Sequence, residues 1–159
     1  MFYNLRYFGD PVLNIKSETI KDYNNISHLI ENMFKIMYQY QGVGLAANQI
    51  GVAKRIFTYK YNSDTNYFIN PEIILQSNQL KTTSEGCLSI PSLFSDVSRP
   101  DYITIKGYDL DGKERYKEAN GFLARIFFHE IDHLNGTLYI DKLDLLKRNS
   151  IIKKYKANN

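Results

Sequence analysis

The chain has 159 residues, of which 43% are hydrophobic and 23% charged, and its formal net charge is +3. This length and composition predict one soluble globular domain over residues 1–159 with a sizeable core. The mild, scattered charge argues against nucleic-acid readout. No apolar run is long enough to span a bilayer, so no membrane contact is expected.

The N-terminus and the cysteine content predict a reducing compartment. Residues 1–6 lack a basic stretch followed by an apolar core, so we expect no secretory signal. Cys87 is the only cysteine, which excludes an internal disulfide. A cytoplasmic setting is therefore expected, with an organelle as the alternative.

The first part of the chain predicts an irregular arm over residues 1–22 and then an amphipathic helix over 25–40. The helix is indicated by apolar residues at helical spacing, namely Ile26, Leu29, Ile30, Met33, Met37 and Tyr40. The glycines in Gly42-Val43-Gly44 end this helix and suit a backbone that runs close to a ligand. A simple helix-ending loop is the alternative.

The middle of the chain predicts short β-strands. Residues 55–59, 67–69 and 72–75 are rich in β-formers, and Asn70-Pro71 is expected to interrupt the run. The stretch 82–91 has a less regular pattern. Residues 102–108 alternate apolar with polar, and Asp111-Gly112 predicts a hairpin back to 113–117.

The last third predicts a helix that begins near Gly121, with Asn120 as its cap and Asn135-Gly136 as its end. Residues 137–141 are predicted to be extended, and 145–156 to form a basic C-terminal helix. The whole is predicted to be α+β: short antiparallel sheets packed around the Gly121 helix, with one helix near each terminus.

That central helix carries His129-Glu130-Ile131-Asp132-His133, a His-Glu-x-x-His pattern. Residues four apart lie on one face of a helix, so both imidazoles can reach one divalent metal. Glu130 lies on the same side, and a buried carboxylate there is costly unless a charge offsets it. The pattern predicts a hydrolytic metal centre.

The third metal ligand is restricted by the residues that come after the helix. Gly136 fits the longer pattern in which a third His completes the site, but Tyr139 stands where that His would be. No Glu or His occurs after His133, which leaves Asp141 and Asp144 as unsupported alternatives. Cys87 is the best soft donor, and a Cys–His–His set with an open fourth position is typical of catalytic sites.

Three segments together resemble the peptide deformylase family: residues 42–49 (GVGLAANQ), 85–89 (EGCLS) and 129–133 (HEIDH). The resemblance extends over nearly the whole chain. It implies a metal-dependent amide hydrolase that removes the formyl group from the N-terminal formyl-methionine of nascent polypeptides and releases formate. It also implies one divalent metal per chain, natively Fe²⁺, with Zn²⁺, Ni²⁺ or Co²⁺ as substitutes.

The resemblance also implies roles for individual residues. Cys87, His129 and His133 would bind the metal, Glu130 would transfer protons, and Gln49 with the backbone N–H of Leu88 would stabilise the oxyanion. The substrate would contact a further set: Val43, Gly44, Glu85, Gly86, Phe122 and Ile126. Apart from the resemblance, the lysines of the basic C-terminal tail are read as a solvated face, with a weak contact with the ribosome as the alternative.

One departure from the family concerns peptide binding. Phe94 stands where some members carry an arginine that grips the peptide, and Arg99 or Arg125 are candidates to replace it. Two other functions are compatible with the motif: a peptidase that uses the same helix, and a metal-stabilised binding module without activity.

Overall fold

The computed structural model describes residues 2–159. Its regular elements alternate between helices and mostly antiparallel strands. In chain order they are α1 (Ile26–Gln39), β1 (Gly44–Ala46), β2 (Ile56–Tyr61), β3 (Asp64–Gln76), β4 (Leu80–Cys87), β5 (Ile90–Pro100), β6 (Tyr102–Tyr108), β7 (Glu114–Asn120), α2 (Gly121–Leu134) and α3 (Leu145–Ala157). The predicted α+β class is confirmed, with a helix near each end of the chain.

The strands form two antiparallel sheets. The larger has the order β1-β2-β3-β6-β7, so β1 lies at its edge. The smaller is the long hairpin β4-β5, which closes through the two-residue turn Leu88-Ser89. Helix α2 contacts strands of both sheets, which brings its residues close to the closed end of the hairpin.

The core packs on both faces of the larger sheet. Helix α2 packs against an aromatic cluster in which Phe127 contacts Phe57, Tyr59 and Phe68, with ring centroids 4.9 to 6.1 Å apart. Helix α1 covers a second cluster with its buried apolar stripe, in which Met33 and Met37 are fully buried. Burial of these side chains is the main term that stabilises the fold.

The ends of α2 differ in how they are capped. Asn120 occupies the cap position, as predicted, but its side chain makes no capping hydrogen bond. At the other end Gly136 has φ of +76°, and the N–H of Thr137 donates to the carbonyl of Asp132 at 2.9 Å. This is a Schellman ending, which confirms the predicted stop at Asn135-Gly136.

Two local predictions are wrong, those for Asn70-Pro71 and for residues 137–141. Asn70-Pro71 does not interrupt β3, because the Asn70 side chain exchanges two 2.8 Å hydrogen bonds with the Ile20 backbone and the strand continues past a bulge. The less regular pattern predicted for 82–91 corresponds to the closed end of the β4-β5 hairpin, where strand pairing shifts register between Gly86 and Cys87 and the chain turns at Leu88-Ser89. Residues 137–141 are not extended but enter a 3₁₀ turn at Tyr139–Lys142.

The C-terminal helix α3 lies close to its predicted bounds. The Asp144 side chain caps it by accepting a 2.9 Å hydrogen bond from the Lys147 N–H. Only Ile151 is fully buried, whereas Leu145 and Leu146 are exposed. Among residues 2–159, none of the helices has the length and apolar character needed to cross a bilayer.

Candidate metal centre and catalytic cavity

Helix α2 presents its two histidines side by side. The Nε2 atoms of His129 and His133 lie 3.1 Å apart, and both residues are buried. The spacing of four residues explains this, because it returns the chain to the same face after one turn. Two ring nitrogens therefore converge on one point, as the motif predicts.

Cys87 joins them from the end of β4. Its Sγ lies 3.2 Å from Nε2 of His133, and the three donor atoms are all within 4.8 Å of one another. The alternative ligands are engaged elsewhere: Asp141 accepts from the Leu138 N–H, and Asp144 caps α3. The sulfur is thus the third donor that the structure brings to the two imidazoles.

Glu85, two residues before Cys87, orients His129. Its Oε1 lies 2.6 Å from Nδ1 of His129, which leaves Nε2 free to face the sulfur. Arg99 donates to both carboxylate oxygens at 2.8 and 2.6 Å, and Arg125 donates to Oε2 at 2.8 Å. Burial alone would raise the pKa of Glu85, but the bonds from Arg99 and His129 lower it well below 4.5.

The two arginines are part of a buried charge network that leads back to α2. Arg99 also donates to Asp132 at 2.8 Å, while Arg125 donates to the carbonyls of Lys81 and Val97. Both guanidiniums are buried and engaged. Neither is therefore placed to grip a peptide in the way suggested from the sequence.

Glu130 lies next to the candidate metal ligands on helix α2. The residue is only 3% exposed, and within residues 2–159 its Oε2 has no hydrogen-bond partner. Burial raises the pKa of Glu130 to about 7. A Cβ on Gly44 would collide with Oε1 of this carboxylate. Gly44 therefore makes room for Glu130 beside β1.

Burial and neighbouring charges also shift the pKa values of the two imidazoles. Desolvation and the nearby charge of His129 lower the pKa of His133 well below 6.5, so that ring is held neutral. Desolvation opposes the charged form of His129 as well, yet hydrogen bonds toward Cys87 and Glu85 raise its pKa well above 6.5. The surroundings of His129 therefore favour positive charge, while His133 stays neutral and can act as a ligand. Together they provide an environment that suits a bound metal cation.

Gln49 approaches the same point from the 3₁₀ turn Ala47–Ile50. Its Oε1 accepts from the Ala46 N–H at 2.9 Å, which fixes the orientation of the amide. Its Nε2 donates to Ser89 Oγ at 3.2 Å and lies 3.6 Å from Cys87 Sγ. A positioned N–H donor thus lies beside Cys87, one of the three converging donors.

A cavity of about 660 Å³ opens onto these groups. Most of the predicted site residues line it: Val43, Gly44, Gln49, Glu85, Gly86, Cys87, Leu88, Phe122, Ile126, His129 and Glu130. Sequence reasoning missed Tyr7, Tyr40, Pro91 and Ser92 on its walls. These residues lie in the arm, at the end of α1 and in a bulge of β5, where no motif singled them out.

The donor set fits a divalent transition metal. A thiolate and two imidazoles suit Fe²⁺, Zn²⁺, Co²⁺ or Ni²⁺ better than Mg²⁺ or Ca²⁺. Three such atoms within 4.8 Å of one another are close enough to bind a single ion. Three protein ligands with an open position define a catalytic rather than a structural site.

The comparisons with known proteins agree with this geometry. The sequence model described as polypeptide deformylase matches residues 2–149. A peptide deformylase from Carboxydothermus hydrogenoformans is 46% identical over 147 residues, 92% of this chain and 96% of that protein. A peptide deformylase from Legionella pneumophila has a similar structure, with a TM-score of 0.93 and 34% identity over 99% of this chain and 95% of that one.

A structure of the Synechococcus elongatus peptide deformylase in complex with actinonin also matches, with a TM-score of 0.91, 34% identity, and coverage of 97% of this chain and 86% of that one. The fold and site define a metal-dependent hydrolase. The chain belongs to the polypeptide deformylase family, whose reaction is removal of the N-terminal formyl group.

Proposed function

We propose that this chain hydrolyses the formyl amide of N-formylmethionyl nascent peptides with Glu130 as the group that transfers protons. The observation that carries the proposal is the convergence of Cys87, His129 and His133 beside the cavity, next to a Glu130 carboxylate whose Oε2 has no partner within residues 2–159. A binding module would have no need of a buried carboxylate without a partner, which costs stability.

The three ligands would hold one divalent metal, and Fe²⁺ is the proposed native ion, with Zn²⁺, Ni²⁺ or Co²⁺ as substitutes. When bound, such an ion makes water more acidic and polarises a carbonyl oxygen. Glu85 supports the site by holding the orientation of the His129 ring through the 2.6 Å contact with Nδ1. Partners of this kind are expected to increase metal affinity.

Glu130 is proposed to accept a proton from the attacking water and to deliver it to the leaving amine. Gln49 Nε2 and the backbone N–H of Leu88 are proposed to donate hydrogen bonds to the oxyanion. One such donor is worth about 3 kcal/mol of barrier. Gln49 is suited to this because Ala46 and Ser89 fix its amide in advance.

The substrate backbone is proposed to add a strand to the free edge of β1. The Lys60 N–H donates to the Val43 carbonyl, so Val43 bonds to β2. Because successive residues of an antiparallel strand bond to opposite sides, the N–H and C=O of Gly44 point away from β2. The cavity lies on that side. The methionine side chain is proposed to enter a pocket lined by Val43, Glu85, Phe122 and Ile126, next to Gly86.

Two further proposals concern where the enzyme acts. Helix α3 carries exposed Lys147, Lys153, Lys154 and Lys156 on a chain of net charge +3, which supports a weak contact with the acidic surface of a ribosome. The proposed setting is the compartment in which formylated chains are made, the cytoplasm or the interior of an organelle.

The test is a formate-release assay on formyl-Met-Ala-Ser with protein loaded anaerobically with Fe²⁺ or Ni²⁺. We expect turnover with the loaded protein, its loss on chelation, and its return when metal is restored. Acetyl-Met-Ala-Ser is the matched control, and the same mixtures report any cleavage of internal peptide bonds. Folded, metal-loaded protein that releases no formate would refute the proposal, and internal cleavage would indicate a peptidase.

A further inference from the structure

A second cavity of about 350 Å³ adjoins the catalytic one. Three residues line both cavities, namely Ser84, Phe122 and Arg125, and they form the wall between them. Ser84 and Phe122 are both exposed to solvent, and Phe122 retains 51% of its accessible surface. Arg125 retains only 7%, so it is the interior part of this wall.

The Arg125 guanidinium is held in place from three directions. Its Nη1 donates to Glu85 Oε2 at 2.8 Å and to the Val97 carbonyl at 2.9 Å, and its Nη2 donates to the Lys81 carbonyl at 2.8 Å. These acceptors belong to both strands of the β4-β5 hairpin. Movement of the guanidinium would leave buried acceptors unpaired, which is costly. The wall is therefore rigid.

Arg125 also adjoins the proposed methionine pocket. It follows Phe122 by three residues and precedes His129 by four, and these spacings place all three on one side of α2. Its neighbour Ile126 and its ion-pair partner Glu85 are both pocket residues. The guanidinium thus stands where the pocket would otherwise continue into the second cavity.

We infer that Arg125 closes the far end of the pocket for the first side chain and sets the longest side chain that the enzyme accepts. The inference rests on the proposed deformylase function. The favoured substrates are formyl peptides whose first residue has an unbranched side chain about as long as that of methionine. A longer chain meets the fixed guanidinium, whereas a smaller residue at 125 would let it enter the second cavity.

The experiment uses metal-loaded protein and formyl-Xaa-Ala-Ser peptides in which Xaa is norleucine, 2-aminooctanoate or 2-aminodecanoate. Arg125→Ala removes the wall, and Arg125→Met removes the charge but retains an unbranched side chain that fills the same space. We expect the wild type and Arg125→Met to prefer norleucine. In Arg125→Ala we expect kcat/KM for the two longer residues, relative to norleucine, to rise about tenfold or more.

Each result separates this inference from the proposed function. Failure of the wild type on formyl-norleucyl peptide would refute the function itself. Activity on that peptide with an unchanged length preference in Arg125→Ala would refute only the role of Arg125, as would a wild type that accepts 2-aminodecanoate equally well.

Equal changes in Arg125→Met and Arg125→Ala would assign the effect to lost charge at Glu85 and refute the wall. Arg125→Val replaces the alanine variant if the latter loses its metal.

Discussion

The metal side and the mouth of the cavity are built from different interactions. At the metal side Glu85 binds His129, Arg99 and Arg125 at 2.6 to 2.8 Å, and all four residues are buried. At the mouth the lining is apolar and exposed to solvent: Phe94 is 66% exposed and Phe122 51%. One side depends on charges withdrawn from water and the other on exposed rings.

This difference matches what each side has to do. A ligand set must be held within a fraction of an ångström, and buried, fully paired charges allow few alternative arrangements. A surface that accepts many polypeptides needs contacts that do not depend on a particular partner, and exposed apolar rings provide such contacts. We expect substitutions at the metal side to cost more than substitutions at the mouth.

The largest effect is expected for Glu85→Gln, which leaves the buried Arg99 and Arg125 facing a neutral side chain. Loss of one partner from a buried ion pair costs about 3–5 kcal/mol, so we expect the free energy of unfolding to fall by that amount. Chemical denaturation of metal-free protein measures it. The matched control is Glu114→Gln, which removes an exposed ion pair of similar length to Lys106 and should change little.

The same carboxylate gives a pH dependence whose sign follows from its lowered pKa. Glu85 contributes stability that is fully present above its ordinary pKa of 4.5 and is lost as the pH falls toward its folded-state value. Wild-type protein should therefore lose more stability below about pH 5 than Glu85→Gln does. Parallel curves for the two proteins would mean that the ion pairs at Glu85 are not net stabilising.

A smaller but still large effect is expected for Glu130→Gln. The glutamine fits the same space but cannot accept the proton of water, so turnover should fall by at least about 10²-fold. Metal content should stay near that of the wild type, because Glu130 is not among the three converging donors. Glu118→Gln, an exposed change on β7, controls for general effects, and a metal-loaded Glu130→Gln with normal turnover would contradict the proton role.

The predictions for the metal side depend on signals that are local or are carried by unusual residues. His129, Glu130 and His133 are close in sequence on one helix, and Cys87 is the only thiol. No periodicity relates β4 to α2, so Cys87 was inferred as the third ligand from its donor chemistry and from the absence of a Glu or His after His133. The bonds from Arg99 to both Glu85 and Asp132 were not predicted. The Arg99–Asp132 pair spans 33 residues and leaves no local pattern in the sequence.

The irregular parts were predicted less well for the same reason. The continuation of β3 through Asn70-Pro71 depends on hydrogen bonds to Ile20, 50 residues away. The hairpin β4-β5 was obscured by its polar, exposed residues, because only Glu85 of β4 is fully buried. Tertiary partners decide such segments, and a single sequence does not show them.

The smallest effect is expected at the mouth, for Phe94→Ala. The ring lies over Gly86, where a Cβ would come within 2.5 Å of Phe94 Cε1, and it edges the cavity. Loss of an exposed aromatic contact should raise KM for formyl-Met-Ala-Phe by about two- to tenfold and leave kcat unchanged. The control peptide is formyl-Met-Ala, which is too short to reach the ring and should show no change. A fall in kcat for both peptides would mean instead that Phe94 holds the backbone at Gly86 and thereby Cys87. In that case the mouth would be as rigid as the metal side. Replacing Phe94 with arginine instead of alanine would then not restore the wild-type KM for formyl-Met-Ala-Phe.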